Sequence, residues 1–342
     1  MKKVVLFGGS FNPPHLGHLK LALKSLKFLN AHELWFIPTL KSPLKDVELV
    51  SFEHRCAMIE ILIKPYSKLK LSRIESQLSE MSYTINTVTM LKKLYPNTEF
   101  IWLMGSDQAN NFHNWYKHEE LLQMIDFAVY RRSETDIVDS KFIIIESNEV
   151  FMNASKEIRN GKVNLTHPKV VQYMMDNELY VEEIASTMMS KKRFTHTQSV
   201  CELALSLASH HNIDLHQVYI AALFHDCVKE WSTNQSKSWL SFVYPEYVNM
   251  PQALWHQKLG AAYLKRVLHV QDKRILNAIA HHIEGFNDDV AKVVYIADKC
   301  ERTRNYDSSE LIDCAMNDLD LAYLRVKEAQ VKWLEKERVT IG

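Results

Sequence analysis

Two sets of residues in this chain have types and spacings suited to chemistry, one to holding phosphates and one to holding metal. The first is the run Gly8-Gly9-Ser10-Phe11-Asn12-Pro13-Pro14-His15-Leu16-Gly17-His18, placed between a short apolar stretch and an apolar-periodic segment. Paired glycines let the backbone turn tightly and approach a ligand closely. A helix that starts at this turn aims unpaired N–H groups and a partial positive charge at whatever occupies it. His15 and His18, three residues apart, share one face of the first helical turn. Two histidines alone would as readily be satisfied polar structure; with the glycine turn and the helix start they point to a bound polyphosphate.

The second set is His196, His225, Asp226, His256, His282 and Asp298. Helical phase puts each on an apolar stripe. His196 continues Val200, Leu203 and Leu207, and His225 continues Val218, Ala221 and Ala222. His256 shares a face with Leu259, Gly260 and Tyr263, His282 completes Ile275 and Ile279, and Asp298 follows Val294. Five helices therefore each aim a metal-capable side chain inward. A buried carboxylate without a partner is costly, so a metal explains the set. His210, His211, His216 and His281 fall on outward phases and read as solvated.

The elements that must position these residues change character along the chain. Candidate strands at 4–7, 34–37, 70–72, 100–104, 127–130 and 142–145 alternate with helical segments such as 19–29 and 84–94. That alternation predicts a doubly wound, parallel α/β sheet. Beyond about residue 185 helical periodicity takes over, which predicts an all-α second domain; the boundary is drawn at 183/184, giving domains 1–183 and 184–342. With 342 residues two domains are the natural division, and 46% apolar residues suffice for two cores. The 41 basic and 41 acidic residues balance, which argues against a nucleic-acid partner. Five scattered cysteines without a CxxC pair read as reduced thiols. The apolar start is too short for a signal peptide and no run is long enough to span a membrane, so the expected address is cytoplasmic. The oligomeric state stays open.

The first half resembles the HxGH nucleotidyltransferases, and within them nicotinate-nucleotide adenylyltransferase. The resemblance rests on GGSFNPPHLGH, Phe36-Ile37-Pro38 with Ser42–Lys45, His54-Arg55, and Glu75 before Ser82-Tyr83-Thr84. It continues through Gly105-Ser106-Asp107, Trp115 and Ser155-Lys156-Glu157-Ile158-Arg159, with 170–180 resembling the family's last helix. It implies attack by the phosphate of nicotinate mononucleotide on the α-phosphorus of ATP, with Mg²⁺ arriving on ATP. His15, His18, Lys45 and Arg159 would act on the phosphates. Substrate would be bound by Gly8, Gly9, Ser10, Phe11 and Ser155, by Gly105, Ser106 and Asp107 at the adenosine, and by Ser82, Tyr83, Thr84 and Trp115 at the pyridine. Trp115 serves equally as a core aromatic. Asn12 stands where the family usually has Asp, and Ser42–Lys45 departs from its PPHK. Another HxGH enzyme, of the pantetheine-phosphate type, is the alternative.

The second half resembles the HD-domain phosphohydrolases, most closely those that split diadenosine tetraphosphate into two ADP. The likeness is carried by 193–196, 221–226 with Lys229, His256 with Gly260, His282 with Gly285, and Ala297-Asp298 with Glu301 and Arg304. It implies two divalent ions, iron ahead of manganese. His196, His225, Asp226 and Asp298 would hold one; Asp226 would bridge to the other, completed by His256 and His282. Lys229, as a catalytic residue, Arg193 and Arg304 would meet the phosphates of a dinucleoside polyphosphate, or else are surface charge. A nucleotidase and a module that only senses nucleotides are the alternatives.

Overall fold

The computed structural model describes residues 1–41, 49–78, 82–131, 139–146, 154–304 and 306–341, the last nine by backbone alone. The apolar runs of the first half pair into one parallel sheet: β1 (Lys2–Gly9), β2 (Glu33–Pro38), β3 (Leu69–Leu71), β4 (Thr98–Gly105), β5 (Asp126–Tyr130) and β6 (Ile143–Ile145). Their order is β3-β2-β1-β4-β5-β6. Every pairing is parallel, with Val4 opposite both Glu33 and Phe100. Strands covered on both faces read as unbroken apolar runs, and Val4, Val5, Leu6 and Leu103 are fully buried.

The crossovers are α1 (Leu16–Phe28), α2 (Phe52–Ile63), α3 (Thr84–Leu94), and α4 (Ser106–Asn110) with α5 (His118–Met124). β1 and β4 lie side by side while the chain leaves them in opposite directions. Such a switch point opens a crevice at the carboxyl ends of the two strands. Gly8 and Gly9 end β1, and Gly105 ends β4.

The helices beyond are α6 (Ala154–Arg159), α7 (Pro168–Asp176), α8 (Val181–Thr187), α9 (Lys191–His210), α10 (Leu215–Phe224) and α11 (Thr233–Val243). They are followed by α12 (Trp255–Arg266), α13 (Lys273–Ala280), α14 (Asp289–Cys300), α15 (Ser309–Asn317) and α16 (Leu319–Ile341). Among the described residues none of this part forms a strand. The single helix expected over 170–180 ends at Asp176; Glu178 and Tyr180 take left-handed backbone (φ 56° and 60°) before α8 begins. α9, α10 and α14 pack closely because small residues line their contact, with Ala204, Ala221, Ala222 and Ala297 fully buried beside Val200, Leu207, Val293 and Val294. Each large apolar side chain so buried contributes roughly 1.5–3 kcal/mol.

By contacts the chain divides into two units, Met1–Ile158 with Asn164–Val170, and Arg159–Val163 with Val171–Gly342. That division follows packing and falls upstream of 183/184, which follows periodicity. No described helix is long and apolar enough to cross a membrane.

Candidate functional site

In the first unit the loop after β1 is held from three directions. Arg55, almost wholly buried in α2, donates from Nη1 to the Ser10 carbonyl at 2.9 Å and from Nε to the Val50 carbonyl at 2.9 Å. Val50 N–H in turn donates to Asn12 Oδ1 at 3.3 Å, so the amide at this departure from the family pattern is in use. The Pro13 carbonyl accepts from Ser155 Oγ at 2.9 Å and the Pro14 carbonyl from Thr166 Oγ1 at 2.8 Å. Gly8 and Gly9 do not take the left-handed backbone. Their constraint is space: a Cβ on Gly8 would lie 2.4 Å from Trp102 Cζ2, and one on Gly9 would lie 3.1 Å from the Phe11 ring.

This bracing delivers two imidazoles to the start of α1. His15 is the N-cap, and its Nδ1 accepts the His18 N–H at 3.2 Å, while His18 Nδ1 accepts the His15 N–H at 3.2 Å. It is a capping box closed by two histidines, their rings stacked with centroids 3.5 Å apart. Because both Nδ1 atoms accept, the proton of each ring sits on Nε2, which makes each Nε2 a donor. Two donors at a helix N-terminus suit an anion.

The other residues expected at this site are placed as follows. Gly105, Ser106 and Asp107 run from the end of β4 into the first turn of α4, with Ser106 buried. Ser82 Oγ accepts the Lys41 N–H at 3.1 Å, Tyr83 caps α3, and Thr84 begins it. Trp115 is half-buried against the core, its ring 5.3 Å from Phe112 and 6.5 Å from Phe127. Arg159 ends α6, with Nε 3.7 Å from Glu183. Lys45 lies outside the described residues.

In the second unit six donors converge in two groups, His196 with His225 and Asp298, and Asp226 with His256 and His282. They do not come from five helix interiors. His225 and Asp226 follow the end of α10, where the backbone tightens (Cys227 N–H to the Phe224 carbonyl, 3.2 Å), and His282 follows α13. The helix ends have a use, because the last carbonyls of a helix lack internal partners. His225 Nδ1 donates to the Ala222 carbonyl at 2.7 Å, and His282 Nδ1 to the Ile279 carbonyl at 2.8 Å. Both rings thus carry their proton on Nδ1 and turn a lone pair inward from Nε2. His196 is set in the same way by a carboxylate: its Nδ1 lies 3.0 Å from buried Glu301 Oε1, leaving Nε2 toward Asp298 Oδ1 at 3.2 Å.

Like-polarity atoms therefore face one another. Asp226 Oδ1 lies 3.2 Å from His256 Nε2 and 3.4 Å from His282 Nε2, and the two imidazole nitrogens are 3.2 Å apart. His225 Nε2 stands 3.6 Å from both Asp226 Oδ2 and Asp298 Oδ1. Fully buried, His225 Nε2 and Asp226 Oδ1 have no hydrogen-bond partner among the described residues. Convergent lone pairs on imidazole nitrogens and carboxylate oxygens are the donor set of a divalent first-row metal.

Protonation agrees with that use. Burial pushes His282 down to about 4 and also lowers His256, keeping both in the neutral form that ligates. At His225 burial is the largest influence and would lower it, but Asp226, Asp298 and the bond to the Ala222 carbonyl together outweigh burial and raise it. Burial opposes ionisation of Asp226 and Asp298, yet His225, His256 and His282 at Asp226, and Lys299, His196 and His225 at Asp298, hold both carboxyls well below the usual range.

Around the donors stand cations. Arg193 Nη1 and Lys229 Nζ donate to Asp226 Oδ2 at 2.9 and 3.0 Å; Arg304 Nη2 donates to Asp298 Oδ1 at 2.6 Å and Lys299 Nζ to Asp298 Oδ2 at 2.5 Å. Arg193 and Arg304 line a cleft of about 840 Å³ together with His196.

The Cytidylyltransferase-like family matches residues 6–192, more than half of the chain. The chain belongs to the Cytidylyltransferase-like family. The HD domain matches residues 193–303, so this family member carries a second catalytic module behind the first. A relative from Mycoplasma genitalium, named probable nicotinate-nucleotide adenylyltransferase/Ap4A hydrolase, is 29% identical over 94% of this chain and 96% of its own. The nicotinate-nucleotide adenylyltransferase of Bacillus subtilis is 33% identical over 53% of this chain and 99% of its own. A solved HD superfamily hydrolase of Clostridium acetobutylicum is 27% identical, with a TM-score of 0.43, over 46% of this chain and 86% of its own.

Sequence reasoning left three kinds of residue in this family member without a role. Arg55 and Thr166 brace the loop after β1 through bonds to its carbonyls. Glu301 orients His196, and its signal was the spacing of three from Asp298 on one helical face. Lys299 joins the two donor groups, donating to Asp298 and to the His282 carbonyl at 3.1 Å. Of the outward histidines His210 is exposed as expected, while His211, His216 and His281 are half-buried. His211 meets the Ala315 carbonyl at 2.6 Å, His216 pairs with Glu178 at 2.9 Å, and His281 stacks on Phe286 with centroids 5.0 Å apart.

Proposed function

We propose that the chain catalyses two reactions, adenylyl transfer by residues 1–183 and metal-dependent phosphohydrolysis by residues 184–342. In the first, a phosphate oxygen of nicotinate mononucleotide attacks the α-phosphorus of ATP. The bond to the β-phosphate breaks, pyrophosphate leaves, and deamido-NAD is the product. His15 and His18 donate from Nε2 to phosphate oxygens, and Lys45 and Arg159 add positive charge. Gly8, Gly9, Ser10 and Phe11 let the phosphates approach, with Ser155 bracing their loop. Gly105, Ser106 and Asp107 meet the adenosine, while Ser82, Tyr83, Thr84 and Trp115 take the pyridine ring and its carboxylate. Prepositioned donors suffice for this chemistry without a covalent nucleophile. Mg²⁺ enters as part of the ATP substrate. The observation that carries this reading is the histidine capping box at the switch-point end of β1.

In the second reaction a nucleotide polyphosphate, diadenosine tetraphosphate, is split by water into two ADP. His196, His225, Asp226 and Asp298 would hold one divalent ion, with Asp226 shared to a second held by His256 and His282; iron is proposed ahead of manganese. When bound, such ions neutralise phosphate charge and lower the pKa of neighbouring water. The chain's part is to keep the ligating nitrogens free of protons, through Ala222, Ile279 and Glu301, and to offer Lys229, Arg193 and Arg304 to the phosphates. The convergence of buried, unpartnered lone pairs at His225 and Asp226 carries this reading. Both reactions fit the name of the Mycoplasma genitalium relative, and the free cysteines fit a reducing, cytoplasmic setting.

Product analysis on the purified chain tests both halves. Nicotinate mononucleotide with ATP should yield dinucleotide and pyrophosphate, and diadenosine tetraphosphate should yield ADP as its sole nucleotide product. Adenylyl transfer to pantetheine phosphate but not to nicotinate mononucleotide would overturn the first assignment, and ATP plus AMP would overturn symmetric cleavage.

A further inference from the structure

The cleft that opens onto His196 carries more positive charge than the donor groups use. Four basic residues line it, Lys191, Lys192, Arg193 and Arg304, against the two carboxylates Glu230 and Glu301. Most of these charges are matched. Arg193 is paired with Asp226 and Arg304 with Asp298. Glu230 accepts from Ser190 N–H at 2.6 Å and Ser190 Oγ at 2.8 Å, and Glu301 is occupied by His196 and by Thr303. Lys191 and Lys192 are exposed and form no ion pair among the described residues.

Their position makes this costly. They open α9 immediately after its N-cap Ser190, and the first turn holds no acidic residue. A helix N-terminus favours carboxylates in that turn and disfavours cations. Three successive basic residues there add to the positive end of a twenty-residue helix. The same cleft is lined by His196, which belongs to the donor group that holds the buried, unpartnered His225 Nε2. Uncompensated positive charge and a metal-type donor thus share one cleft.

We infer that Lys191 and Lys192 form a distal phosphate subsite of this cleft. It takes phosphates of a nucleoside polyphosphate beyond the one presented at His196 and so selects long phosphate chains over monophosphate esters. The inference rests on the proposed phosphohydrolase and names a determinant of its substrate class.

The test uses the full chain carrying Lys191→Gln with Lys192→Gln, and a charge-retaining control carrying Lys191→Arg with Lys192→Arg. For diadenosine tetraphosphate the Gln pair should raise KM by about tenfold or more, the scale of lost charged hydrogen bonds, with little change in kcat. KM for p-nitrophenyl phosphate should stay unchanged, and the Arg pair should behave as the parent. Equal effects on both substrates, or none, would overturn the subsite. Calorimetric titration with inorganic tripolyphosphate separates this inference from the proposed reaction. Weakened binding in the Gln pair, with dinucleotide synthesis intact, supports the subsite even if the parent cleaves no phosphoanhydride. An isotherm identical to the parent's overturns it.

Discussion

The first unit presents its candidate groups, His15 and His18, from one loop and the helix turn behind it, within the stretch Gly8 to His18, whereas the second gathers donors from five segments between His196 and Asp298. Each solution has its own weakness. A loop brings the groups together cheaply in sequence, but a loop has little stiffness, so Arg55, Ser155 and Thr166 must hold its carbonyls from elsewhere in the fold. Helix ends are stiff, so the second site obtains its geometry from packing, and spends its local hydrogen bonds on fixing which ring nitrogen carries the proton. Both sites depend on a nitrogen's protonation being set by a neighbouring group, with opposite results: Nε2 donates at His15 and His18, and Nε2 accepts at His225 and His282.

Three substitutions sharpen that comparison, in descending order of expected effect. His256→Ala removes one donor of the second group only. It should lower hydrolysis by about 10²–10³-fold, as loss of one transition-state stabiliser does, while elemental analysis shows one class of bound metal retained. A fully active His256→Ala protein would break the view that the two groups act together. Arg55→Met strips the half-buried Ser10 and Val50 carbonyls of a donor, so denaturant unfolding of the first unit should show a loss of about 2–3 kcal/mol. Dinucleotide synthesis should fall with it and hydrolysis should hold; an unchanged unfolding curve would mean that the loop needs no brace. Glu301→Gln keeps the shape at His196 but weakens the fixing of its tautomer. Metal affinity should drop about 10–100-fold by competition with a chelator. Parent-like affinity would confine Glu301 to local structure.

The contrast also explains how far the sequence could be read. Central strands such as 4–7 and 100–104 were legible because burial on both faces makes them continuous apolar runs, and 84–94 was legible because one face alternates at helical spacing. His15 and His18 lie within one motif, and the six metal-type donors share inward phase, so both sets were visible one element at a time. What phase could not show is where a helix stops. His225 and His282 lie one and two residues beyond α10 and α13, where a carbonyl becomes available to the ring. The braces were invisible for a different reason: Ser155 reaches Pro13 across 142 residues and Glu301 reaches His196 across 105, separations at which local patterning carries no information.

On the proposed function one chain holds two chemically independent sites, one binding phosphate through a histidine capping box and one through metal ligands. Assaying both reactions in His18→Ala and Asp226→Ala, each in the full chain and with metal content measured, tests it most directly. His18→Ala should lose dinucleotide synthesis while keeping hydrolysis and metal. Asp226→Ala should lose hydrolysis and metal while keeping dinucleotide synthesis. Either substitution removing both reactions from a folded protein, or Asp226→Ala retaining its metal and its hydrolysis, would contradict the claim.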